Sequence, residues 1–224
     1  TLWGIEWGPS GFVLGNGTYD TTQIFFGYPI NGLNPITSYD FYVQAICGTG
    51  DTSYWSGPFT FTSPCAALTP SQLEDFSAGF PPNACWDQAG DGDPGTGPSS
   101  IGVSSWFTDG FGNIGTTGAV KVNLFTTGKQ EWILSPQYDF SSGGPYQIEF
   151  DIGIFTWNQT SPGQLGSDDR VEVLISRDGG GTWNGLNNFN NNYITGPNGN
   201  HEIIALPNDC LLYTSDAADD WFCV

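Results

Sequence analysis

The chain has 224 residues, and its 32 glycines, 15 prolines and 15% aromatic residues are typical of short strands joined by tight turns. Acidic residues outnumber basic residues by 23 to 4, giving a formal net charge of -19. This charge argues against a nucleic-acid partner, because binding DNA or RNA needs clustered Lys and Arg. No apolar run approaches the roughly 18 residues that span a bilayer, so we expect no membrane-spanning segment. The chain begins at Thr1 rather than Met, and we expect a fragment.

The first predicted elements are short antiparallel strands between Ile5 and Phe61, where apolar and polar residues alternate and are interrupted by Gly, Asn and Pro. The stretch LNPITSYDFYVQAICGTGDTSYWSGPFTFTS, residues 33–63, resembles the last two strands of a fibronectin type III domain. The resemblance implies a tyrosine corner, in which the Tyr39 ring is buried and its hydroxyl bonds to nearby backbone. A surface position for Tyr39 is the alternative.

The fibronectin type III resemblance covers residues 1–63 and assigns two further strands. LWGIEWGPSGF (2–12) corresponds to the third strand of that fold, and QIFFGYPINGL (23–33) corresponds to the fifth. The first two strands are missing, which leaves a sheet edge and part of the core open. We therefore expect this partial sandwich to be poorly stable alone.

A linker at residues 64–72, within SPCAALTPSQ, separates this module from a second one at residues 73–209. The second module resembles the jelly-roll sandwiches of the MAM family, without their closing strand. The matching pieces, in order, are LEDFSAGFPPNACW, SSWFTDGFGN, GAVKVNLF, EWILSPQYDF, YQIEFDIGIF, DDRVEVLISRDGGGTW and HEIIALP. The predicted fold class is therefore all-β: a partial fibronectin type III (immunoglobulin-like) sandwich followed by a truncated jelly-roll sandwich. The pair of modules resembles secreted multimodular proteins of Bacteroidetes-type bacteria.

The tail, residues 210–224, is predicted not to belong to either module. Its CLLYTSDAADD stretch, residues 210–220, resembles the translation of an adapter used in preparing DNA sequencing libraries. We expect the tail to pack poorly against the sandwich.

Among the cysteines, a Cys47–Cys65 bond is excluded by distance. If Cys47 ends one strand of a hairpin, Cys65 lies about ten residues along the return strand, roughly 30 Å away at 3.3 Å per residue. Bridged Cα atoms are about 4.4–6.8 Å apart. The MAM resemblance implies that Cys65 instead bonds to Cys85, which would leave Cys47 single.

The octapeptide SRDGGGTW fits Ser-x-Asp-x-Gly-x-Thr-Trp, a motif that resembles the aspartate box of sialidases. A sialidase also needs several such boxes and an arginine cluster, whereas this chain has one box and two arginines, Arg170 and Arg177. We therefore predict a structural turn, whose amides bond to an aspartate and whose tryptophan packs over the hairpin. Its defining residues are Ser176, Asp178, Gly180 and Trp183.

Structural calcium is the predicted cofactor, because Ca²⁺ takes several oxygen ligands and acidic pairs supply them. The MAM resemblance implies a metal at the start of the jelly roll, and in a sandwich residues distant in sequence meet at strand ends. Separate solvation of these acids is the alternative. The candidate ligands are Glu74, Asp75, Asp109, Asp168 and Asp169.

Aromatic side chains near loops could form a platform for stacking sugars. Core packing or capping of the sandwich is the alternative explanation for them. The candidates for ligand binding are Trp106, Phe107, Phe111 and Trp157.

Catalysis by this chain is not expected. A glycosidase needs two carboxylates on opposite sides of a bond, and nothing singles out a pair among Glu131, Glu149, Asp151 and Glu172; the only histidine, His201, lacks a nucleophile motif. We predict a non-catalytic adhesion or binding module of a secreted or cell-surface bacterial protein, with an extracellular protein or polysaccharide as partner. The alternative is an accessory region of a secreted peptidase or glycanase whose catalytic domain lies elsewhere.

Overall fold

A computed structural model describes residues 2–24 and 26–207 and the backbone of Trp221–Cys223. The regular secondary structure of these residues is β-strand apart from a 3-10 turn at Phe111–Asn113, which confirms the predicted all-β class. The chain divides into two compact units, Thr1–Cys65 and Ala66–Val224, and the division falls within the predicted linker 64–72. In the part of the chain that the structure describes, no helix has the length and apolarity needed to cross a bilayer.

The first unit is one antiparallel sheet organised around a long central strand. The sheet order is β2-β1-β3-β4, and β5 also pairs with β3. β4 pairs with the end of β3 and β5 with its beginning, so two short strands together run antiparallel along β3. The strands are β1 (Leu2–Pro9), β2 (Thr18–Thr22), β3 (Ser38–Gly48), β4 (Asp51–Thr52) and β5 (Ser56–Thr62).

Tyr39 anchors the start of β3 in the manner predicted from the sequence. Its side chain is 6% exposed, and its ring stacks on Phe61 of the adjacent β5 at 6.0 Å. Its hydroxyl oxygen accepts a hydrogen bond from the backbone N–H of Asn34 at 3.0 Å. A buried tyrosine hydroxyl needs such a partner, so this bond ties the incoming loop to the strand.

The predicted strand at residues 23–33 is wrong. The strand at this point is β2, Thr18–Thr22, and the described residues after it, 23–24 and 26–33, are in a loop. Gly27 and Gly32 adopt left-handed φ values of 73° and 72°, and Pro29 has no amide hydrogen for a ladder. Several residues of the loop instead line a cavity of about 610 Å³ together with residues of the sheet. The lining includes Ile24, Tyr28, Ile30 and Leu33 of the loop and Trp3, Ile5, Phe41, Val43 and Phe61 of the strands.

The second unit contains four antiparallel sheets. Its main sheet has the order β14-β13-β16-β11-β6, and the pairs β12–β15, β9–β10 and β7–β8 form two-stranded sheets. The strands are β6 (Asp87–Gly90), β7 (Gly92–Asp93), β8 (Gly97–Pro98), β9 (Phe107–Asp109), β10 (Ala119–Lys121), β11 (Glu131–Leu134), β12 (Gln147–Ile152), β13 (Arg170–Ser176), β14 (Asn184–Asn190), β15 (Asn200–Ala205) and β16 (Trp221–Cys223).

The core of the second unit lies on both faces of β13. Val173 and Ile175 are fully buried among side chains that include Phe189, Ile204 and Phe140. Leu174, which points the other way because strand side chains alternate, belongs to a second cluster with Ala89, Trp132, Leu134 and Trp183. Burying each such side chain contributes about 1.5–3 kcal/mol, so β13 supplies a large part of the core of the unit.

The end of the chain differs in part from the prediction. The backbone of Trp221–Cys223 forms β16, pairing antiparallel with both β13 and β11. This contrasts with the expectation that residues 210–224 lie apart from the sandwich, and its physical reason is that β11 and β13 both present backbone hydrogen-bonding groups to the gap between them. The adapter-like residues 210–220, including Leu211–Tyr213, lie outside the described residues.

Cys65 and Cys85 form a disulfide, as the MAM resemblance implied. Cys47 is exposed and unbonded. Ser38 at the start of β3 pairs with Thr62 near the end of β5, so Cys65 follows one end of β3 while Cys47 lies near the other. This arrangement agrees with the distance argument that excluded a bond between them.

Candidate functional site

The aspartate box forms a closed hydrogen-bonded turn between β13 and β14. Asp178 Oδ1 accepts from the Ser176 hydroxyl at 2.9 Å and from the Thr182 N–H at 2.8 Å, and its Oδ2 accepts from the Thr182 hydroxyl at 2.7 Å. The bond from the Thr182 hydroxyl is the main cause that lowers the pKa of Asp178. The Ser176 oxygen in turn accepts from the Gly180 N–H at 2.8 Å. The carboxylate is thus occupied within its own turn.

Trp183 completes this turn from inside the fold. Its side chain is 6% exposed, and its ring meets Trp132 edge-on at 5.8 Å. The indole N–H donates to the Gly180 carbonyl at 3.2 Å, and Gly179 and Gly180 supply the left-handed φ values of 67° and 91° that the turn requires. Ser176, Asp178, Gly180 and Trp183 thus all take part in holding the turn together.

Three of the acids predicted to bind calcium accept hydrogen bonds from backbone amides close to them in sequence. Glu74 accepts from the Phe76 N–H at 2.7 Å, Asp75 from the Ser77 N–H at 2.9 Å, and Asp169 from the Gly166 N–H at 2.9 Å. Asp168 Oδ1 and Asp169 Oδ2 both lie within 3.1 Å of the position that a Cβ on Gly166 would take.

These contacts do not establish a calcium ligand set. Within residues 2–24 and 26–207, no group of three His, Cys, Asp or Glu side chains is placed to hold a metal ion. The backbone beside Asp75 does approach Gly118, which precedes β10, because the Gly118 N–H donates to the Phe76 carbonyl at 3.4 Å. Calcium stays a prediction.

Two of the four candidate aromatic residues form an exposed pair. Phe107 and Trp157 are 41% and 43% exposed, and their rings meet edge-to-face with centroids 6.0 Å apart at 77°. Phe111 instead packs against Phe155 at 6.0 Å. Trp106 is half-buried, and its indole nitrogen is buried without a hydrogen-bond partner in the described part of the chain.

Lys121 lies at the centre of this pair. Its ammonium is 5.2 Å from the centroid of the Phe107 ring and 4.9 Å from that of Trp157. It forms an ion pair with Asp109 and donates hydrogen bonds to Asn113 Oδ1 at 2.7 Å and Asn158 Oδ1 at 3.2 Å. We call Phe107, Asp109, Asn113, Lys121, Trp157 and Asn158 the Lys121 cluster.

Strand register brings the first half of the cluster together. In the β9–β10 ladder, Lys121 stands opposite Phe107, and Asp109 lies two residues further along β9. Residues directly opposite and residues two apart point to the same face of an antiparallel pair. The lysine therefore reaches the aromatic ring and the carboxylate simultaneously.

The second half of the cluster comes from two turns. Asn113 ends the 3-10 turn Phe111–Asn113 with a φ of 60°. Asn158 lies in a tight loop with a φ of 54°, a conformation that asparagine tolerates well. The side-chain amide of Asn113 donates to the Gln159 carbonyl at 2.6 Å, so the two turns are joined directly as well as through Lys121.

The ion pair in the cluster is largely shielded from solvent. The side chains of Lys121 and Asp109 are 21% and 17% exposed. Their hydrogen bond is the main cause that lowers the pKa of Asp109, which remains a carboxylate at neutral pH. The Asp109 carboxylate is therefore paired with an ammonium group in this structure.

Sequence reasoning missed Lys121, Asn113 and Asn158. A signal for the lysine was present, because Lys121 and Lys129 are the chain's only lysines and Lys121 falls in a predicted strand, GAVKVNLF. Nothing in the sequence indicated the two asparagines, since the chain has many exposed asparagines in loops.

The carboxylates considered for glycosidase chemistry are engaged locally. Glu131 accepts from the Ser105 N–H at 2.6 Å, and Glu172 forms an ion pair with Arg170 at 2.8 Å. Asp151 and Glu149 flank His201 on the exposed side of the β12–β15 pair, at 2.8 and 3.5 Å from its ring nitrogens. The Asp151 hydrogen bond is the main cause that raises the pKa of His201.

Comparison of the chain with models of protein families, with curated proteins and with solved structures finds no match. The strongest structural indication of a function is the Lys121 cluster, whose two aromatic rings are held in place by contacts and are still open to solvent.

Proposed function

We propose that this chain is a non-catalytic binding module of a secreted or cell-surface protein, and that it binds a polysaccharide at the Phe107–Trp157 pair. The observation that carries the proposal is the exposure of these two rings, at 41% and 43%, beside a fixed set of polar groups. One face of each ring lies toward the Lys121 ammonium. The exposed surface of each ring is the part that neither the ammonium nor the other ring covers.

The chemistry of a pyranose suits this surface. A sugar ring has an apolar face of C–H groups, which packs on an aromatic ring, and a rim of hydroxyls, which bond to amides. Asn158 follows Trp157 directly and is exposed, and its side chain bonds to the Lys121 ammonium that lies over the indole. Because the cluster holds both rings before a ligand arrives, little conformational entropy is lost on binding.

The location outside the cell is supported by the Cys65–Cys85 disulfide. Disulfides persist in oxidising compartments and are rare in the cytosol. The net charge of -19 is compatible with a neutral ligand and unfavourable for a polyphosphate.

Affinity electrophoresis tests the proposal. The chain of residues 1–224 is run through native gels that contain soluble polysaccharides, beside the variants Phe107→Ala and Trp157→Ala. We expect retardation of the unmodified chain by at least one polysaccharide, and loss of most of it in both variants.

A matched control is Phe125→Ala. Phe125 is 73% exposed and has Lys129 over its ring at 5.9 Å, but it is outside the Lys121 cluster. The Phe125→Ala substitution should leave the retardation by polysaccharide unchanged. Equal loss of binding in all three variants, or no retardation by any polysaccharide, would contradict the proposal.

A further inference from the structure

The Lys121 cluster has a cation at its centre but offers no net positive charge. Asp109 compensates the ammonium through a direct ion pair, and both side chains are about one-fifth exposed, at 17% and 21%. An ion pair of this kind presents a dipole rather than a charge to an approaching ligand, and its field falls off steeply with distance.

The hydrogen-bonding capacity of Lys121 is also fully used. An ammonium group has three N–H donors and no acceptor. Its acceptors in the structure are Asp109 Oδ2, Asn113 Oδ1 and Asn158 Oδ1. A carboxylate or sulfate on a ligand would have to displace one of these acceptors to reach a donor.

The surroundings add a repulsive contribution. The segment that packs beside Gly118, just before β10, carries Glu74 and Asp75, and the whole chain has a net charge of -19. A negatively charged polymer would approach a negative potential without gaining a free cation in return.

We propose that the site selects uncharged polysaccharides, and that Lys121 is a positioning residue that sets the geometry of Phe107 and Trp157 without contacting the ligand. This inference rests on the proposed function of the aromatic pair. Lys121 joins β10 to both turns of the cluster, so its removal takes away one of the links that hold the Trp157 loop beside the Phe107 strand.

The experiment compares two classes of polymer. The chain is run in affinity gels that contain neutral β-glucan, xyloglucan or galactomannan, and in gels that contain polygalacturonate or alginate, each at low and high NaCl. We expect retardation by a neutral polymer that salt does not change, and none by the anionic polymers. Trp157→Ala should weaken neutral binding about tenfold or more, as for a buried hot-spot contact.

Substitutions at the lysine separate positioning from contact. Lys121→Met should weaken neutral binding about threefold to tenfold, the size of a lost cation–π and hydrogen-bonding arrangement. Lys121→Arg keeps the charge and the donors and should restore most of the binding. Lys129→Met is the matched control, because Lys129 also lies over an exposed ring, that of Phe125, and also pairs with a carboxylate, Glu131 at 3.4 Å. Thermal unfolding of each variant verifies that it is folded.

Each outcome bears on a different part of the argument. Retardation by anionic polymers that depends on Trp157, weakens in high salt and disappears in Lys121→Met would overturn the selectivity for uncharged ligands while leaving the aromatic pair as the site. If Lys121→Met binds the neutral polysaccharides as tightly as the unmodified chain does, Lys121 has no positioning role. Failure of every polymer, or binding that ignores Phe107 and Trp157, would remove the proposed function and this inference together.

Discussion

The aspartate-box turn and the Lys121 cluster lie in the same unit and each combine an aspartate with a tryptophan, yet one tryptophan is buried and the other is exposed. In each, the carboxylate of the aspartate is bonded to a neighbouring side chain, Thr182 for Asp178 and Lys121 for Asp109. Trp183 is 6% exposed and packs in the core, whereas Trp157 is 43% exposed and points its free surface outward. The difference shows that a hydrogen-bonded aspartate is compatible with both a core anchor and a surface site.

The two sites also differ in where their partners come from. The groups that donate hydrogen bonds to the Asp178 carboxylate all lie within residues 176–182. The partners of Lys121 come from β9, from the turn ending at Asn113 and from the loop around Asn158. A short motif can therefore specify the first site, whereas the second exists only when separate segments meet.

The largest expected effect is on stability at the two tryptophans. Trp183→Ala should lower the free energy of unfolding by about 3–5 kcal/mol, because it leaves a cavity beside Trp132 and Leu174. Trp157→Ala should cost about 1 kcal/mol or less, since much of the ring is already in water. Urea unfolding followed by circular dichroism measures both. Comparable losses would break the distinction between core anchor and surface site.

A smaller effect is expected at the two aspartates. Asp178→Asn and Asp109→Asn should each lower the melting temperature by about 2–4 °C at pH 7, the size of a lost charge-assisted hydrogen bond in a domain of this length. The folded-state pKa of each carboxyl is lowered from its ordinary value of 3.8. The stabilisation is therefore present above pH 3.8 and is lost as the pH falls through the folded pKa.

Melting curves between pH 2 and pH 7 check this sign. The unmodified chain and each Asn variant should differ at pH 7 and converge at the acid end. Added salt should reduce the effect of Asp109→Asn on the melting temperature more than that of Asp178→Asn, because only Asp109 bonds to a charged partner. A difference that grows toward low pH would contradict the assignment.

His201 provides an exposed electrostatic contact for comparison with the shielded Lys121–Asp109 pair. Its pKa is raised, first by the Asp151 hydrogen bond, so its stabilisation is full below the unfolded value near 6.5 and is lost as the pH rises through the folded pKa. His201→Gln should lower the melting temperature by less than about 2 °C at pH 5.5 and have no effect at pH 9. Differential scanning calorimetry at the two pH values measures the change in melting temperature. A change seen only at pH 9 would contradict the expected loss of stabilisation as the pH rises.

Calcium is expected to have the smallest effect. A chelator should lower the melting temperature by about 1 °C, the size for a weakly occupied site, and Asp75→Asn should reduce that dependence. Titration calorimetry on the chain of residues 1–224 is the direct measurement. If calcium releases no heat and chelation leaves the melting temperature unchanged, the acids are separately solvated and serve solubility.

Local features of the fold were predictable because their causes are local. The alternation of apolar residues indicated β13, and the Gly-rich octapeptide after it indicated a turn whose aspartate bonds its own amides. The loop at residues 23–33 was predicted wrongly because its aromatic and apolar residues favour a strand, while the left-handed Gly27 and Gly32 prevent a continuous ladder.

The sequence by itself determined the all-β class, the aspartate-box turn, the burial of Tyr39 and the Cys65–Cys85 bond that the MAM resemblance implied. These depend on residue periodicity, on hydrogen bonds within a few residues, or on a motif. Tertiary structure alone decided which aromatic residues are exposed together and what holds them. Lys121 meets Phe107 through strand register, and it meets Trp157 because a distant loop is folded against β10. No local pattern records such a contact, because its free energy is gained only after the chain has paid the entropy of closing the intervening loop.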